Sequence, residues 1–235
     1  MKIMLKNSRY VLAFAFVLIA QILSGQFPLA GYTIEEMPIP DDVKSKIEAD
    51  LGETGVKCWR VYLCMDDPNW ELQSLFGGDQ FPWILEPESK IYQSKAGGGE
   101  LASSINPVMF DLVPETEFDS WFTIGVDNRS SMANKIAGQI DPFDLFENGE
   151  GFVVNDIIGS SVFGVWMPPH SQGVPDNDMR ILIGQFTSAG DITGRFNFQF
   201  RHLEKDLSIL MPIEANQVTG FEIEISKSGG LKKCR

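Results

Sequence analysis

Histidine occurs only twice in the 235 residues, at His170 and His202, and no G-x-S-x-G motif is present. A serine triad needs an imidazole base beside a nucleophile on a strained turn, so the parts for that chemistry are missing. Cysteine is scarce as well, at Cys58, Cys64 and Cys234, with no histidine close in sequence to complete a zinc spacing. Cys58 and Cys64 sit inside "VKCWRVYLC", an extended pattern, and not at a helix start where a thiolate would be stabilised. The run Gly97-Gly98-Gly99 lacks the Lys-Ser/Thr ending and the following helix of a phosphate cradle. Positive charge is short too. All 32 acidic residues lie between residues 31 and 225, whereas seven of the 19 basic ones lie outside that stretch, which leaves the body with a formal charge of −20. Such a body repels phosphate backbones, so nucleic acid is excluded as a partner. No catalytic residue is assigned.

What is present begins with an export signal. Lys2, Lys6 and Arg9 precede the ten apolar residues "VLAFAFVLIA", and small residues follow at Ser24, Gly25, Ala30 and Gly31. Residues 1–30 are assigned to this leader, with the cleavage point open. The apolar run is shorter than the ~20 residues that span a bilayer, and an uncleaved anchor is the competing reading. No second span is evident. The mature chain is expected to be secreted, extracellular or held at the cell surface.

Residues 31–55 form an acidic lead-in. Within it "IPDDVKSKIEADLG" predicts a short helix, with Asp41 or Asp42 as cap, Val43 and Ile47 one turn apart, and Gly52 as the stop. From residue 56 the pattern is β. "VKCWRVYLCM" and "WELQSLFGG" are strands joined by an Asp-Pro-Asn turn. In "RILIGQFTSAGDITGRFNFQFR" two strands flank a Ser-Ala-Gly-Asp turn, and Phe196, Phe198 and Phe200 alternate with polar residues. "TGFEIEIS" turns Phe221, Ile223 and Ile225 inward and Glu222 and Glu224 outward. The stretch "EFDSWFTIG" predicts a strand over 118–126 with Phe118, Phe122 and Ile124 on a core face and Asp119 and Trp121 on the other. About eight strands without a long helix predict an all-β fold, a single antiparallel β-sandwich or open barrel with long loops, over residues 56–226. The basic end, 227–235, is expected to be a disordered tail.

Four segments carry a family resemblance: "WRVYLCM", "LQSLFGG", "INPVMFDLVPETEFDSWFTIG" and "ILIGQFTSAGDITGRFNFQ". Over residues 56–200 the chain resembles an uncharacterised family of secreted β-rich domains from marine-type bacteria and algae. The central block is the most specific part. The resemblance implies an extracytoplasmic location and a β-rich fold, and no activity, ligand or catalytic residue.

The remaining candidates are binding residues. Asp119 beside Trp121, with Trp83 as a further aromatic, suggests a surface on which a sugar could stack. Glu222 and Glu224, about 7 Å apart on one strand face, have the spacing of a glycosidase carboxylate pair, although such pairs usually just face solvent. A structural calcium is compatible with Asp141, Asp144 and Glu147 in "DPFDLFENGE" and with Asp176 and Asp178 in "PDNDM", though neither matches an EF-hand loop; no other cofactor is implied. Cys58 and Cys64 cannot bridge each other across a straight strand of about 20 Å; Cys234 is a candidate partner for either or is left for an intermolecular bond or a lipid-type modification, and buried, inert thiols are the plainer reading. Asn128-Arg129-Ser130 is a glycan acceptor triplet. The expected function is a non-catalytic surface module with a structural, adhesive or ligand-recognition role. An extracellular polysaccharide or a surface protein is the candidate partner. The alternatives are a carbohydrate-binding or carbohydrate-cleaving module, and a self-associating structural subunit.

Overall fold

The computed structural model describes residues 28–128, 135–138, 143–156, 160–163, 166–167, 170–171, 173–204, 217–226 and 234. Residues 1–27 and nearly all of 227–235 lie outside them. The described residues hold thirteen strands in chain order: β1 (Leu29–Met37), β2 (Lys57–Met65), β3 (Trp70–Gly77), β4 (Trp83–Pro87), β5 (Trp121–Phe122), β6 (Lys135–Gly138), β7 (Phe152–Val154), β8 (Ser160–Phe163), β9 (Trp166–Met167), β10 (His170–Ser171), β11 (Arg180–Ser188), β12 (Ile192–His202) and β13 (Gln217–Ile225). Among the described residues there are two α-helices, α1 (Asp41–Leu51) and α2 (Phe143–Glu147). The fold is all-β. One antiparallel sheet has the order β1-β2-β11-β5, and a second, which curls into a half-barrel, runs β6-β8-β3-β12-β4-β7 with β13 on β12. None of the described helices is long and apolar enough to cross a membrane.

The strand β2 shows how the layers arise. Its alternate residues Trp59, Val61, Leu63 and Met65 enter the main core between the sheets. Cys58, on the opposite face, joins Val43 and Ile47 of α1 in a second cluster that includes Tyr92 and Phe118. Tyr62 packs on a third cluster of Ala102, Ile105, Trp121, Val126 and Leu182. The first sheet is therefore covered on both sides, by the second sheet on one and by α1 and the 101–126 loop on the other. This accounts for β11, where every residue from Ile181 to Ser188 is buried. A half-buried antiparallel strand would alternate.

In the second sheet, β13 and β4 both pair with residues 192–195 of β12, so they occupy its two edges. β3 pairs with residues 198–202 on the β4 side, which makes β3 and β4 one broken strand. Asn197 closes the break. Its buried amide donates to the carbonyls of Phe76 and Phe81 at 2.9 Å, and of Pro82 at 3.3 Å. Its Oδ1 accepts the Gly220 N–H at 2.9 Å, where a positive φ of 68° bends β13.

Four expectations change. The lead-in holds strand β1, which pairs along β2 from Leu29 to Met37 and so begins within the stretch assigned to the leader. Helix α1 lies where expected, but Pro40 occupies the cap position without any side-chain cap, and Gly52 in the left-handed region ends it. The two prolines in the apolar segment "DQFPWILEPES" read as a packed loop, yet β4 runs through it. The stretch 118–126 is not one strand. Residues Pro114–Phe118 form a 3-10 helix, and only Trp121–Phe122 pairs with β11. The 3-10 turn puts Phe118 in the cluster under α1, while Phe122 and Ile124 enter the main core.

Cys64 is joined to Cys234, with Cα atoms 5.3 Å apart, and Cys58 is a buried free thiol. Burial pushes the Cys58 thiol up to about 12, against a smaller lowering by the neighbouring Thr187 hydroxyl.

Candidate functional site

The opening aromatic stretch straddles two cores. Phe122 meets Trp83 edge-on at 5.1 Å and Phe186 at 5.2 Å between the sheets. Trp121, its neighbour, points to the far side of the sheet, where the Arg60 guanidinium sits 5.8 Å from its ring centre. Trp83 is at the centre of the main core, against Phe122, Phe143 and Phe152. Asp119, Trp121 and Trp83 are 0%, 1% and 0% exposed. They do not form a surface on which a ligand could stack in this conformation.

Asp119 follows the 3-10 helix and is anchored through its backbone. The Gln185 side chain donates to the carbonyls of Glu117 at 2.9 Å and Asp119 at 2.8 Å. Gln185 Oε1 in turn accepts from Arg60 Nε at 3.0 Å, and Ser120 Oγ accepts the Thr187 N–H at 2.9 Å. One carboxyl oxygen of Asp119, Oδ1, accepts the Ser94 N–H at 2.7 Å. The other, Oδ2, is buried without a hydrogen-bond partner. It faces Gly98, where an added Cβ would fall within contact of it. Burial pushes the Asp119 carboxyl up to about 7. The Ser94 N–H lowers it somewhat, and the charge of Glu147 raises it further.

The calcium candidates divide. Asp141 lies outside the described residues. Asp144 and Glu147 are exposed on α2, and Asp144 contributes its backbone carbonyl to the Asn148 amide. Asp176 accepts the Asp178 and Arg180 N–H groups at 2.9 and 2.8 Å, and both Asp176 and Asp178 pair with the Arg180 guanidinium at 3.2 and 3.3 Å. Among the described residues no group of three or more His, Cys, Asp or Glu could hold a metal ion. The ring nitrogens of His202 are engaged: Nδ1 accepts the Glu204 N–H at 3.2 Å and Nε2 lies 3.4 Å from Asp67.

The Glu-x-Glu pair of β13 does reach a concave surface. A cleft of about 390 Å³ lies over β4, β12 and β13, lined by Tyr32, Ile84, Glu86, Thr193, Arg195, Glu222 and Glu224 among others. The register sets its two rows. Thr193 stands opposite Glu86 on one side and Glu224 on the other, and Arg195 stands opposite Ile84 and Glu222. Arg195 pairs with Glu222 at 3.6 Å. The Tyr32 hydroxyl closes one end by accepting the Glu224 N–H at 3.2 Å. Sequence reading found Glu222 and Glu224 and missed Glu86, Thr193, Arg195 and Tyr32. The alternation of "ITGRFNF" already placed Thr193 and Arg195 outward, but strand pairing across 107 residues was needed to bring Glu86 beside them. Comparison with known proteins adds no name to this cleft: no family model, curated protein or solved structure matches the chain significantly, and the resemblance carried by the central block gains no support from them.

Proposed function

We propose that the chain is an exported, non-catalytic β-sandwich module that recognises a ligand at the cleft over β4, β12 and β13. The observation that carries this reading is the division of polar groups between the two faces. The groups that chemistry would need, Asp119, Cys58 and His202, are buried. The carboxylates of Glu86, Glu222 and Glu224 stand exposed around a concave cleft whose lining includes the half-buried Ile84. Carboxylates, a paired guanidinium and a hydroxyl around a concave cleft suit a polar, hydroxyl-bearing ligand. An extracellular polysaccharide or a glycosylated surface protein fits that description. Export is supported by the leader-like N-terminus and by the Cys64–Cys234 bridge, since structural disulfides belong to oxidising compartments. The bridge also bears on self-association. Cys234 is used internally and Cys58 is buried, so neither supplies an intermolecular bond.

The test is a panel of soluble polysaccharides and oligosaccharides titrated calorimetrically into the full chain, with Arg195→Ala and Glu224→Gln as controls. Binding that both substitutions weaken about tenfold, at unchanged melting temperature, supports the reading. Binding untouched by either substitution, or bond cleavage by the wild type, overturns it.

A further inference from the structure

Asp119 has a second feature besides its burial: only one thin layer of chain separates it from water. The segment Lys95-Ala96-Gly97 is exposed, Gly98 is half-buried, and the Asp119 Oδ2 lies directly beneath Gly98. Three consecutive glycines make this layer the most deformable backbone near the carboxyl. Any side chain at Gly98 would collide with Oδ2, so the approach depends on the missing Cβ. The Ser94 and Gly99 N–H groups tie the layer to the carboxyl from its two ends, and Lys95 holds its tip to Asp50 at 3.0 Å. A carboxyl in this setting is less costly to bury protonated than ionised, because Oδ2 meets no donor at full hydrogen-bond geometry and the Ser120 and Gly99 N–H groups only partly offset the burial of a charge.

We propose that residues 95–99 form a lid over Asp119 whose opening is coupled to ionisation of that carboxyl, so that the chain exposes Asp119 with rising pH. Lifting the glycines hydrates the carboxylate, and protonation lets them reseat. The groups around Asp119 leave the switch to it alone near neutrality. Cys58 from β2 and Tyr92 from the segment after β4 both ionise only near 12. Glu147 of α2 disfavours the charged form. Glu117, in the 3-10 turn before Asp119, is exposed, and Lys95 at the lid's tip pairs outward with Asp50 at 3.0 Å.

The sign follows from linkage. The closed form holds its proton up to about 7, whereas a hydrated aspartate gives it up near 3.8. Between those values the open population grows about tenfold per pH unit, and above the upper value it levels off. Amide hydrogen exchange of the full chain, with each rate divided by its intrinsic value at that pH, reads this directly at residues 95–99, using β12 amides as the reference. The wild type is expected to show the rise from pH 5 to pH 7 and a plateau at pH 8. Asp119→Asn is expected to remove the pH dependence, and Gly98→Ala, which blocks the closed form, to exchange fast at every pH. A wild type with no pH dependence, a rise that survives in Asp119→Asn, or a Gly98→Ala lid as protected as the wild type at pH 5 overturns the proposal. Should Asp119→Asn not fold, the wild-type slope and the Gly98→Ala rates decide it.

Discussion

At the scale of single residues, Asp119 and Asn197 show two ways of burying a polar side chain. Asn197 uses its amide on three carbonyls and its oxygen on a fourth group, so its burial costs little. Asn197→Ala strips four partners at once and is expected to cost about 2–4 kcal/mol in urea unfolding. A loss below measurement error would show that the β3–β4 break holds without it. Asp119 is only half satisfied. Its folded pKa of about 7 lies above the unfolded value of 3.8, so the folded state binds the extra proton. Its contribution to stability is full below pH 4 and is lost progressively up to about pH 7. Asp119→Asn is expected to stabilise the chain at pH 8 by about 2–4 kcal/mol and to match the wild type at pH 4. A substitution that destabilises equally at both pH values would contradict this assignment.

At the scale of elements, the sequence was most legible where one face of a strand meets water. The alternation in β12 and β13 gave both their faces and the outward glutamates, because period two survives when one side is solvated. It was least legible in the first sheet. β11 is buried on both faces, and in residues 117–126 the inward and outward aromatics belong to different cores, so no period separates core from surface. That is why Trp121 looked like an exposed binding residue: its partners, Ala102, Ile105 and Val126, come from a loop whose docking no local pattern announces. The edge strand β1 was hidden for a related reason. Glu35 and Glu36 make its sequence look like a polar lead-in, although Arg180 and Lys57 pair with them at 3.6 and 3.0 Å. Removing residues 28–37 would uncover β2 along its whole length and is expected to leave the chain insoluble or molten by near-ultraviolet circular dichroism. A soluble truncated chain with a native spectrum would show β1 to be dispensable.

For the whole molecule, the bridge between Cys64 and Cys234 closes the chain over 170 residues. Loop-closure entropy gives such a link about 5 kcal/mol against the reduced chain. Reduction under native conditions is expected to lower the melting temperature without releasing a reactive Cys58, which stays buried and neutral. A melting temperature unmoved by reductant would show that the link carries no stability. The sequence left the pairing open, with Cys234 as a possible partner of either strand cysteine and buried free thiols as the plainer reading. Which one it takes depends on the layer over Cys58, where α1 fills the space a second chain segment would need.

The whole account turns on which acids face water and which are sealed inside. Carbodiimide-driven amidation of the native chain at pH 6, read residue by residue by mass spectrometry, measures that directly. The account predicts rapid labelling of Glu86, Glu222 and Glu224 around the cleft and far slower labelling of Asp119, which the folded chain exposes only while the 95–99 segment is open. Labelling of Asp119 at the rate of Glu224 would contradict it.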